Sequence, residues 1–365
     1  MRIEHLIWLT VILFAIFCAV SLFHAYSFTH PVLENAKTFV PKRGMDLSFM
    51  DKIKALFLGI RPIKKTVSEF PTDYGMDYEA VSFKSRDQIK LQGWYIEDKN
   101  SSATVLLAHG YFGNKAGMLK YAKFLHQRGY TIFMFDFRAS GESEGDTVSM
   151  GYYERLDVLG AVDYLRSIHA KEPFFGLGIS MGAAALTFAE KEEPVFNVLA
   201  LDSMYTTIHK NTARRFKEVY NFPSFPFATT LTFFGGILIH ANGFKVSPLE
   251  SLQHIHVPVL IIQGNADTSV FIEDALALYN NANEPKLLWI VDGAQHSGAY
   301  DANPQDYANV IDDFFDIMGI RRRYILRNSG GNYMVGESIY APKSLTASSP
   351  YPFPFWYDPY LRLWL

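Results

Sequence analysis

The sequence places its most reactive candidate residue between two glycines. Residues 174–184 read Phe-Phe-Gly-Leu-Gly-Ile-Ser-Met-Gly-Ala-Ala, so Ser180 lies at the centre of a Gly-x-Ser-x-Gly pattern. An apolar run precedes this pattern and an alanine-rich run follows it, which predicts a strand, a sharp turn and a helix. Such a turn pushes the serine hydroxyl outward and leaves no room for side chains at the two glycines. The start of the helix also points the backbone N–H of Met181 toward the space beside the serine hydroxyl, where it could donate to an oxyanion.

A second Gly-x-Ser-x-Gly pattern surrounds Ser143, in Gly-Glu-Ser-Glu-Gly at residues 141–145. No helical pattern follows this serine directly. The carboxylates of Glu142 and Glu144 flank it, and their negative charge would oppose both an alkoxide and an oxyanion. We therefore favour Ser180 as the nucleophile.

A serine hydroxyl needs a base that accepts its proton, and the chain has 11 histidines. His296 lies in a polar loop that follows the last predicted strand, where a base could reach the nucleophile. Asp267 follows the preceding strand in the same way, and Asp202 ends the strand before that. Either carboxylate could orient the imidazole. We favour Asp267 and expect Asp202 to hydrogen-bond loops near the site.

The elements that would position these residues alternate along the chain. Strands are predicted at 80–83, 91–96, 104–108, 131–135, 174–177, 198–201, 259–263 and 287–291. Helices are predicted at 115–128, 153–168, 180–191, 273–279 and 304–317. Near-continuous apolar strands between amphipathic helices indicate an α/β fold with a mostly parallel, eight-stranded sheet covered on both faces, in which the first two strands form a hairpin. Reactive groups are expected at the carboxyl ends of the strands.

Several motifs together resemble the α/β-hydrolase superfamily, in particular its membrane-anchored serine hydrolases related to prolyl-oligopeptidase-type enzymes. The matching segments are His-Gly-Tyr-Phe-Gly-Asn at 109–114, Asp-Phe-Arg-Ala-Ser-Gly-Glu-Ser-Glu-Gly at 136–145, the elbow at Ser180, Asp267 with Val270, and His-Ser-Gly at 296–298. The resemblance covers about residues 78–318, and the chain order Ser180, Asp267, His296 is that of the superfamily. One departure is Phe271, where relatives commonly have proline.

The resemblance implies an oxyanion hole and two structural roles. The backbone N–H of Tyr111 would be the second oxyanion donor beside that of Met181. Gly110 agrees with this role, because close approach of the backbone to a substrate favours a residue without a side chain. His109 is expected to be structural rather than a base, and Arg138 is expected to hold the loop after the fourth strand.

The N-terminal segment Leu6–Phe23 carries no charge and is about long enough to cross a bilayer. We favour a retained membrane anchor, and a cleaved signal peptide is the alternative, although the apolar region of a signal peptide is usually shorter. Lys37, Lys42 and Arg43 slightly outweigh Arg2, which mildly favours a cytoplasmic catalytic domain. The side of the membrane stays open.

Four regions follow from these patterns. We expect an anchor at 1–28, a linker at 29–77, an α/β-hydrolase domain at 78–320 with an aromatic lid at 203–247, and a Pro- and aromatic-rich C-terminal extension at 321–365.

Two of these regions leave alternatives open. The linker contains an amphipathic helix over 46–60, which could lie on the membrane or, as we slightly favour, pack on the domain. The extension, for its part, could contact the membrane interface or clamp onto a neighbouring protein.

The composition restricts the function further. A net charge of −3 gives no sign of nucleic-acid binding, and a single cysteine excludes an intramolecular disulfide and a cysteine-based metal site. No cofactor and no metal are expected. The sequence predicts a carboxylesterase- or lipase-like serine hydrolase that forms an acyl-enzyme, acts on an apolar acyl substrate and meets the lipid bilayer. A peptidase, an acyl thioesterase and a noncatalytic membrane-tethered binding protein are the alternatives, and the oligomeric state is left open.

Overall fold

A computed structural model of the chain describes residues 2–34, 36, 48–170, 172–221 and 223–321. Its main sheet has eight strands: β1 (Glu79–Lys84), β2 (Lys90–Ile96), β3 (Thr104–Ala108), β4 (Thr131–Phe135), β5 (Phe174–Ile179), β6 (Val198–Asp202), β7 (Val259–Gly264) and β8 (Lys286–Val291). The strand order is β1-β2-β4-β3-β5-β6-β7-β8, and β1–β2 and β2–β4 are the antiparallel pairs. The predicted eight-stranded, mostly parallel sheet with an initial hairpin is confirmed.

Eleven α-helices occur among the described residues. They are α1 (Ile3–Thr29), α2 (Phe49–Leu58), α3 (Leu119–His126), α4 (Glu154–Ser167), α5 (Met181–Glu192), α6 (Ile208–Tyr220), α7 (Phe227–Leu238), α8 (Pro248–Leu252), α9 (Ile272–Asn281), α10 (Ala299–Ala302) and α11 (Pro304–Phe314). Buried residues of α4, α5, α8 and α9 form a core on one face of the sheet, and those of α3, α10 and α11 form a core on the other. The buried strands have apolar side chains on both faces, and the helices therefore cover both.

Two helices differ from their predicted bounds by more than two residues. The predicted helix 115–128 begins with a tight 3-10 turn at Lys115–Met118, where the carboxylate of Asp136 accepts hydrogen bonds from both the backbone N and the side chain of Lys115. This clamp holds the turn in place before α3 starts. The last helix continues beyond Phe314 as a π-helical turn, Phe315–Arg321.

Helix α1 is long and apolar enough to cross a membrane, by length and composition. Most of its side chains are exposed, and the buried ones, Ser21, His24, Ala25 and Ser27, all lie in its last third. This end of α1 therefore packs on the rest of the protein, while the preceding turns present an apolar surface to the surroundings.

The connection between β6 and β7 contains α6 and α7, within the predicted lid 203–247. Its aromatic residues are divided between two environments. The rings of Phe216 and Phe227 stack at 5.0 Å, whereas Phe225 and Phe233 are exposed. Phe222 lies outside the described residues. That this insertion acts as a lid stays a prediction.

Helix α2 corresponds to the amphipathic helix predicted over 46–60, and Ser48 caps it by accepting a hydrogen bond from Asp51 N. Only Ala55 is buried in this helix, and Phe49 and Phe57 are 79% and 73% exposed. The predicted extension 321–365 lies outside the described residues except for the backbone of Arg321.

Candidate active site

Ser180 lies on a strained turn between β5 and α5. Its backbone angles, φ 53° and ψ −110°, fall in a region that residues other than glycine rarely adopt. A Cβ atom on Gly178 would lie 2.6 Å from the backbone N of Ala183, and one on Gly182 would lie 2.7 Å from the carbonyl oxygen of His109. Both glycines are required because the backbone segments around the turn are in contact.

The three residues that we predicted as a catalytic group lie together at the carboxyl ends of their strands. The Oγ of Ser180 is 3.1 Å from Nε2 of His296, and Nδ1 of His296 is 2.8 Å from Oδ2 of Asp267. An imidazole that donates from Nδ1 to a carboxylate is left with Nε2 free to accept the proton of the serine.

The carboxylate of Asp267 is fixed by donors on both oxygens. Oδ1 accepts hydrogen bonds from the backbone N of Ser269 and Val270, and Oδ2 accepts one from Nε2 of Gln263 in addition to that from His296. Burial acts to raise the pKa of Asp267, but these hydrogen bonds and the nearby imidazole outweigh burial, so that its pKa is lowered. Asp267 is therefore ionised and rigidly oriented toward the histidine.

Asp202, the other carboxylate considered for this role, has different partners. It is fully buried and accepts hydrogen bonds from the hydroxyls of Ser203 (2.8 Å) and Tyr307 (3.0 Å). The hydroxyl of Ser203 in turn accepts a hydrogen bond from the backbone N of Ser297, beside His296. Burial raises the pKa of Asp202 to about 6. Asp202 therefore supports the loop of His296 through the hydroxyl of Ser203, which agrees with its predicted role of hydrogen-bonding loops near the site.

The two predicted oxyanion donors belong to segments that meet at Ser180. Met181 is the first residue of α5, where backbone N–H groups lack partners within the helix. A Cβ atom on Gly110 would lie 3.3 Å from the carbonyl oxygen of Ile179 and 3.6 Å from Cβ of Ser180, so the loop that carries Tyr111 closely approaches the serine. Both segments therefore lie beside Ser180, and the oxyanion hole itself stays a prediction.

His109 and Arg138 have the structural contacts that the resemblance implies. His109 is buried, its Nδ1 lies 2.8 Å from the carbonyl oxygen of Gly110, and its Nε2 accepts from the backbone N of Phe137 at 3.1 Å. Neither ring nitrogen is available to a substrate, and burial lowers the pKa of His109. The guanidinium of Arg138 contacts the carboxylates of Asp157 and Asp87 at 2.7–3.2 Å.

Ser143 is fully buried, and its hydroxyl donates to the carbonyl oxygen of Asp136 and accepts from the backbone N of Gln92. It therefore holds two strands together and cannot meet a substrate. Sequence reasoning did not identify Lys115, a fully buried lysine whose Nζ lies 2.6 Å from Oδ2 of Asp136. No local pattern marks this pair, because its members come from different loops.

A cavity of about 1140 Å³ adjoins these residues. Near the candidate triad its lining residues include Gly110, Tyr111, Ile179 and Ser297. Further away the lining comes from α1, α2, α6 and α7, mostly through apolar side chains. This volume is slightly above the roughly 300–1,000 Å³ that is typical of ligand-binding pockets. Among the described residues, no group of His, Cys, Asp and Glu side chains could hold a metal ion.

Known proteins resemble this chain in both sequence and fold. The family model for serine aminopeptidases of the S33 type matches residues 99–233, a segment that includes Ser180. The Bacillus subtilis protein YqkD, which is uncharacterized, is 26% identical over 266 residues, covering 72% of this chain and 83% of YqkD. The Xenopus tropicalis lysophosphatidylserine lipase ABHD12 is 26% identical over 249 residues, covering 64% of this chain and 57% of the lipase.

A solved esterase from Pyrococcus furiosus superposes with a TM-score of 0.62 at 26% identity, covering 70% of this chain and 97% of the esterase. Together with the sheet order, these similarities show the α/β-hydrolase fold. The chain is a hydrolase of the α/β-hydrolase superfamily and resembles its esterases and lipases.

Proposed function

We propose that the protein is a membrane-anchored serine hydrolase that cleaves an ester of an apolar acyl group through an acyl-enzyme on Ser180. The observation that carries this proposal is the hydrogen-bonded series Ser180, His296 and Asp267 beside the large cavity. In the first step Oγ of Ser180 attacks the acyl carbon while Nε2 of His296 takes its proton. The backbone N–H groups of Met181 and Tyr111 stabilise the oxyanion.

The second half of the reaction uses the same groups. His296 returns the proton to the leaving alkoxide, which departs as the alcohol and leaves the acyl group on Ser180. A water molecule then attacks the acyl carbon while His296 accepts its proton, and the carboxylic acid is released as Ser180 recovers its hydrogen. Asp267 keeps the imidazole in the required tautomer throughout.

The apolar acyl group is supported by the lining of the cavity and by the similarity to a lysophosphatidylserine lipase. An acyl thioester has the same reactive carbonyl and is the nearest chemical alternative. The match to a serine aminopeptidase family favours a peptidase as a second candidate. In that case the cavity would hold an apolar side chain instead of an acyl chain.

The membrane anchor is supported by the exposed apolar surface of α1. The exposed Phe49 and Phe57 of α2, with Lys52 and Lys54 on the same helix, resemble an interfacial helix. We infer that α1 crosses the bilayer and that α2 lies on its surface.

Fluorophosphonate labelling of the full-length protein tests the nucleophile. We expect labelling at Ser180, loss of labelling in Ser180→Ala and much slower labelling in His296→Ala. Absence of labelling in the folded wild type would refute the proposal and favour a noncatalytic binding protein.

A substrate panel then tests the reaction class. We expect medium- and long-chain p-nitrophenyl esters and lysophospholipids to be hydrolysed faster than acyl-CoA or aminoacyl amides. Faster cleavage of the amides would instead establish the peptidase.

A further inference from the structure

We propose that the last third of α1, residues 20–29, forms one wall of the acyl-chain site, so that the apolar helix is part of the substrate-binding site as well as an anchor. This inference rests on the proposed function, because it names where the acyl chain of the Ser180 substrate lies. The ligand is the chain of a single-chain lipid that enters from the bilayer.

The first observation is the continuity of the cavity. On the α1 side it is lined by Val20, Ser21, His24, Ala25, Phe28 and Thr29. The same cavity is also lined by Ile179 and Ser297, the chain neighbours of Ser180 and His296. A chain attached to Ser180 can therefore extend through this space until it meets α1.

The second observation is that α1 is fixed to the loop of the predicted oxyanion hole. The last carbonyl groups of a helix have no partners within it. The carbonyl oxygen of Phe28 accepts a hydrogen bond from the hydroxyl of Tyr111, and that of Thr29 accepts one from the backbone N of Val148 at 2.8 Å. Burial raises the pKa of Tyr111, so its hydroxyl keeps the proton that it donates. The wall and the oxyanion loop are thus parts of one packed unit.

The third observation is that α7 continues the wall from the other side. The rings of Phe17 and Phe227 meet at 5.1 Å, and the hydroxyl of Thr230 donates to that of Ser21 at 3.0 Å. The residues of α1 before Val20 are mostly apolar, and all of them except the half-buried Phe17 and Cys18 are exposed. Helix α1 therefore leads from the region that we assign to the bilayer directly to the cavity, where a mostly apolar lining would keep an acyl chain out of water.

One polar side chain in this wall also indicates a ligand. The side chain of His24 is 7% exposed and lines the cavity, and its Nε2 has no hydrogen-bond partner among the described residues. Buried polar atoms without partners are rare because they cost free energy. A hydroxyl or ester oxygen of the bound lipid would satisfy this nitrogen.

Photocrosslinking on the full-length protein in lipid nanodiscs tests the wall directly. The probe is an alkyl fluorophosphonate with 16 carbons and a diazirine at the chain end. The Oγ of Ser180 forms a bond to phosphorus, fluoride leaves and His296 takes the proton. After irradiation we expect crosslinked peptides from residues 20–29 of α1. Crosslinks found only outside α1 would overturn the inference.

Chain-length selectivity provides a second test. Ala25→Trp fills the cavity from α1, and we expect the ratio of kcat/KM for p-nitrophenyl palmitate to that for the butyrate to fall at least tenfold. Val20→Trp acts at a partly exposed lining position and is measured if Ala25→Trp does not fold. Leu13→Trp is the matched control, because Leu13 lies on the exposed part of α1 outside the cavity, and its ratio should equal that of the wild type.

The outcomes separate the inference from the proposed function. If a short-chain fluorophosphonate fails to label Ser180 in the folded wild type, the proposed function is wrong. If Ser180 is labelled but the palmitate-to-butyrate ratio is unchanged in a folded Ala25→Trp or Val20→Trp, the acyl chain does not contact α1. If the palmitate-to-butyrate ratio fell equally in Leu13→Trp, the inference that α1 contacts the acyl chain would also be refuted. The effect would then come from the membrane-facing surface of α1.

Discussion

The substitution Asp267→Asn would replace a carboxylate whose two oxygens both accept hydrogen bonds. Oδ1 faces the backbone N–H groups of Ser269 and Val270, which cannot rearrange, so the new NH₂ group cannot occupy that position. It must take the place of Oδ2, where it faces Gln263 and His296. The amide of Gln263 cannot turn to accept from the new group, because its Nε2 also donates to the carbonyl oxygens of Gly264 and Val270. The imidazole can accept only by moving its proton from Nδ1 to Nε2.

This change of tautomer removes the base. With a proton on Nε2, His296 can no longer accept the proton of Ser180, although the 3.1 Å contact survives. In a serine protease with the same triad, the equivalent change lowers kcat by about 10⁴-fold. We expect kcat to fall here by about 10³- to 10⁴-fold, which corresponds to roughly 4 to 5.5 kcal/mol of activation free energy. KM should change little, because Asp267 does not meet the acyl chain.

The assay is steady-state hydrolysis of a p-nitrophenyl ester, with fluorophosphonate labelling as a second readout. Asp202→Asn is the matched control, because the partners of Asp202 are the hydroxyls of Ser203 and Tyr307, which can rotate to accept from an amide. We expect its kcat to stay within about tenfold of the wild type, since these hydroxyls either donate or accept. If Asp267→Asn lost less than tenfold and Asp202→Asn lost more, the assignment of the orienting acid would be wrong.

Three further substitutions probe buried polar groups. Ser143→Ala removes two buried hydrogen bonds, and we expect a loss of about 1–3 kcal/mol in the free energy of unfolding with unchanged labelling of the folded protein; loss of labelling would show a role at the site. Lys115→Met removes the ammonium group that pairs with the buried carboxylate of Asp136, which keeps only backbone donors, and should lower Tm further, by the equivalent of about 3–5 kcal/mol; an unchanged Tm would contradict this. Burial raises the pKa of Glu190 from 4.5 to about 7, so the folded state resists ionisation and loses stability as pH rises between these values. In thermal unfolding, Glu190→Gln should have a higher Tm than the wild type at pH 8 and the same Tm near pH 4.5. A difference in Tm that grew toward low pH would contradict the raised pKa of Glu190.

The strands and the main helices could be predicted because their signals are local. Continuous apolar runs such as 104–108 and 131–135 indicate buried parallel strands, and both are observed. The elbow at Ser180 was also predictable, because the crowded strand-to-helix turn has room only for small residues, and the two glycines and the following alanines are therefore visible in the sequence. The local sequence is sufficient to predict an element when residues close together in the chain determine its backbone conformation.

The choice between similar candidates required distances across the fold. Asp267 and Asp202 both follow buried strands, and sequence could only favour one of them. The structure shows that Asp267 contacts the imidazole while Asp202 contacts Tyr307, 105 residues further along the chain. In the same way, the burial of Ser143 follows from contacts with Gln92, 51 residues away.

The sequence by itself therefore determined the fold class, the elbow and the order of the candidate catalytic residues, because backbone geometry and periodicity are encoded locally. Only the tertiary structure decided that the end of an apolar N-terminal helix lines the same cavity as the loop of Tyr111. Within α1 itself, no distinct apolar side runs along the helix, so periodicity cannot distinguish a residue that faces lipid from one that faces a cavity. That distinction depends on which surfaces α6, α7 and the loop of Tyr111 present to the helix, and packing between segments far apart in the chain determines them.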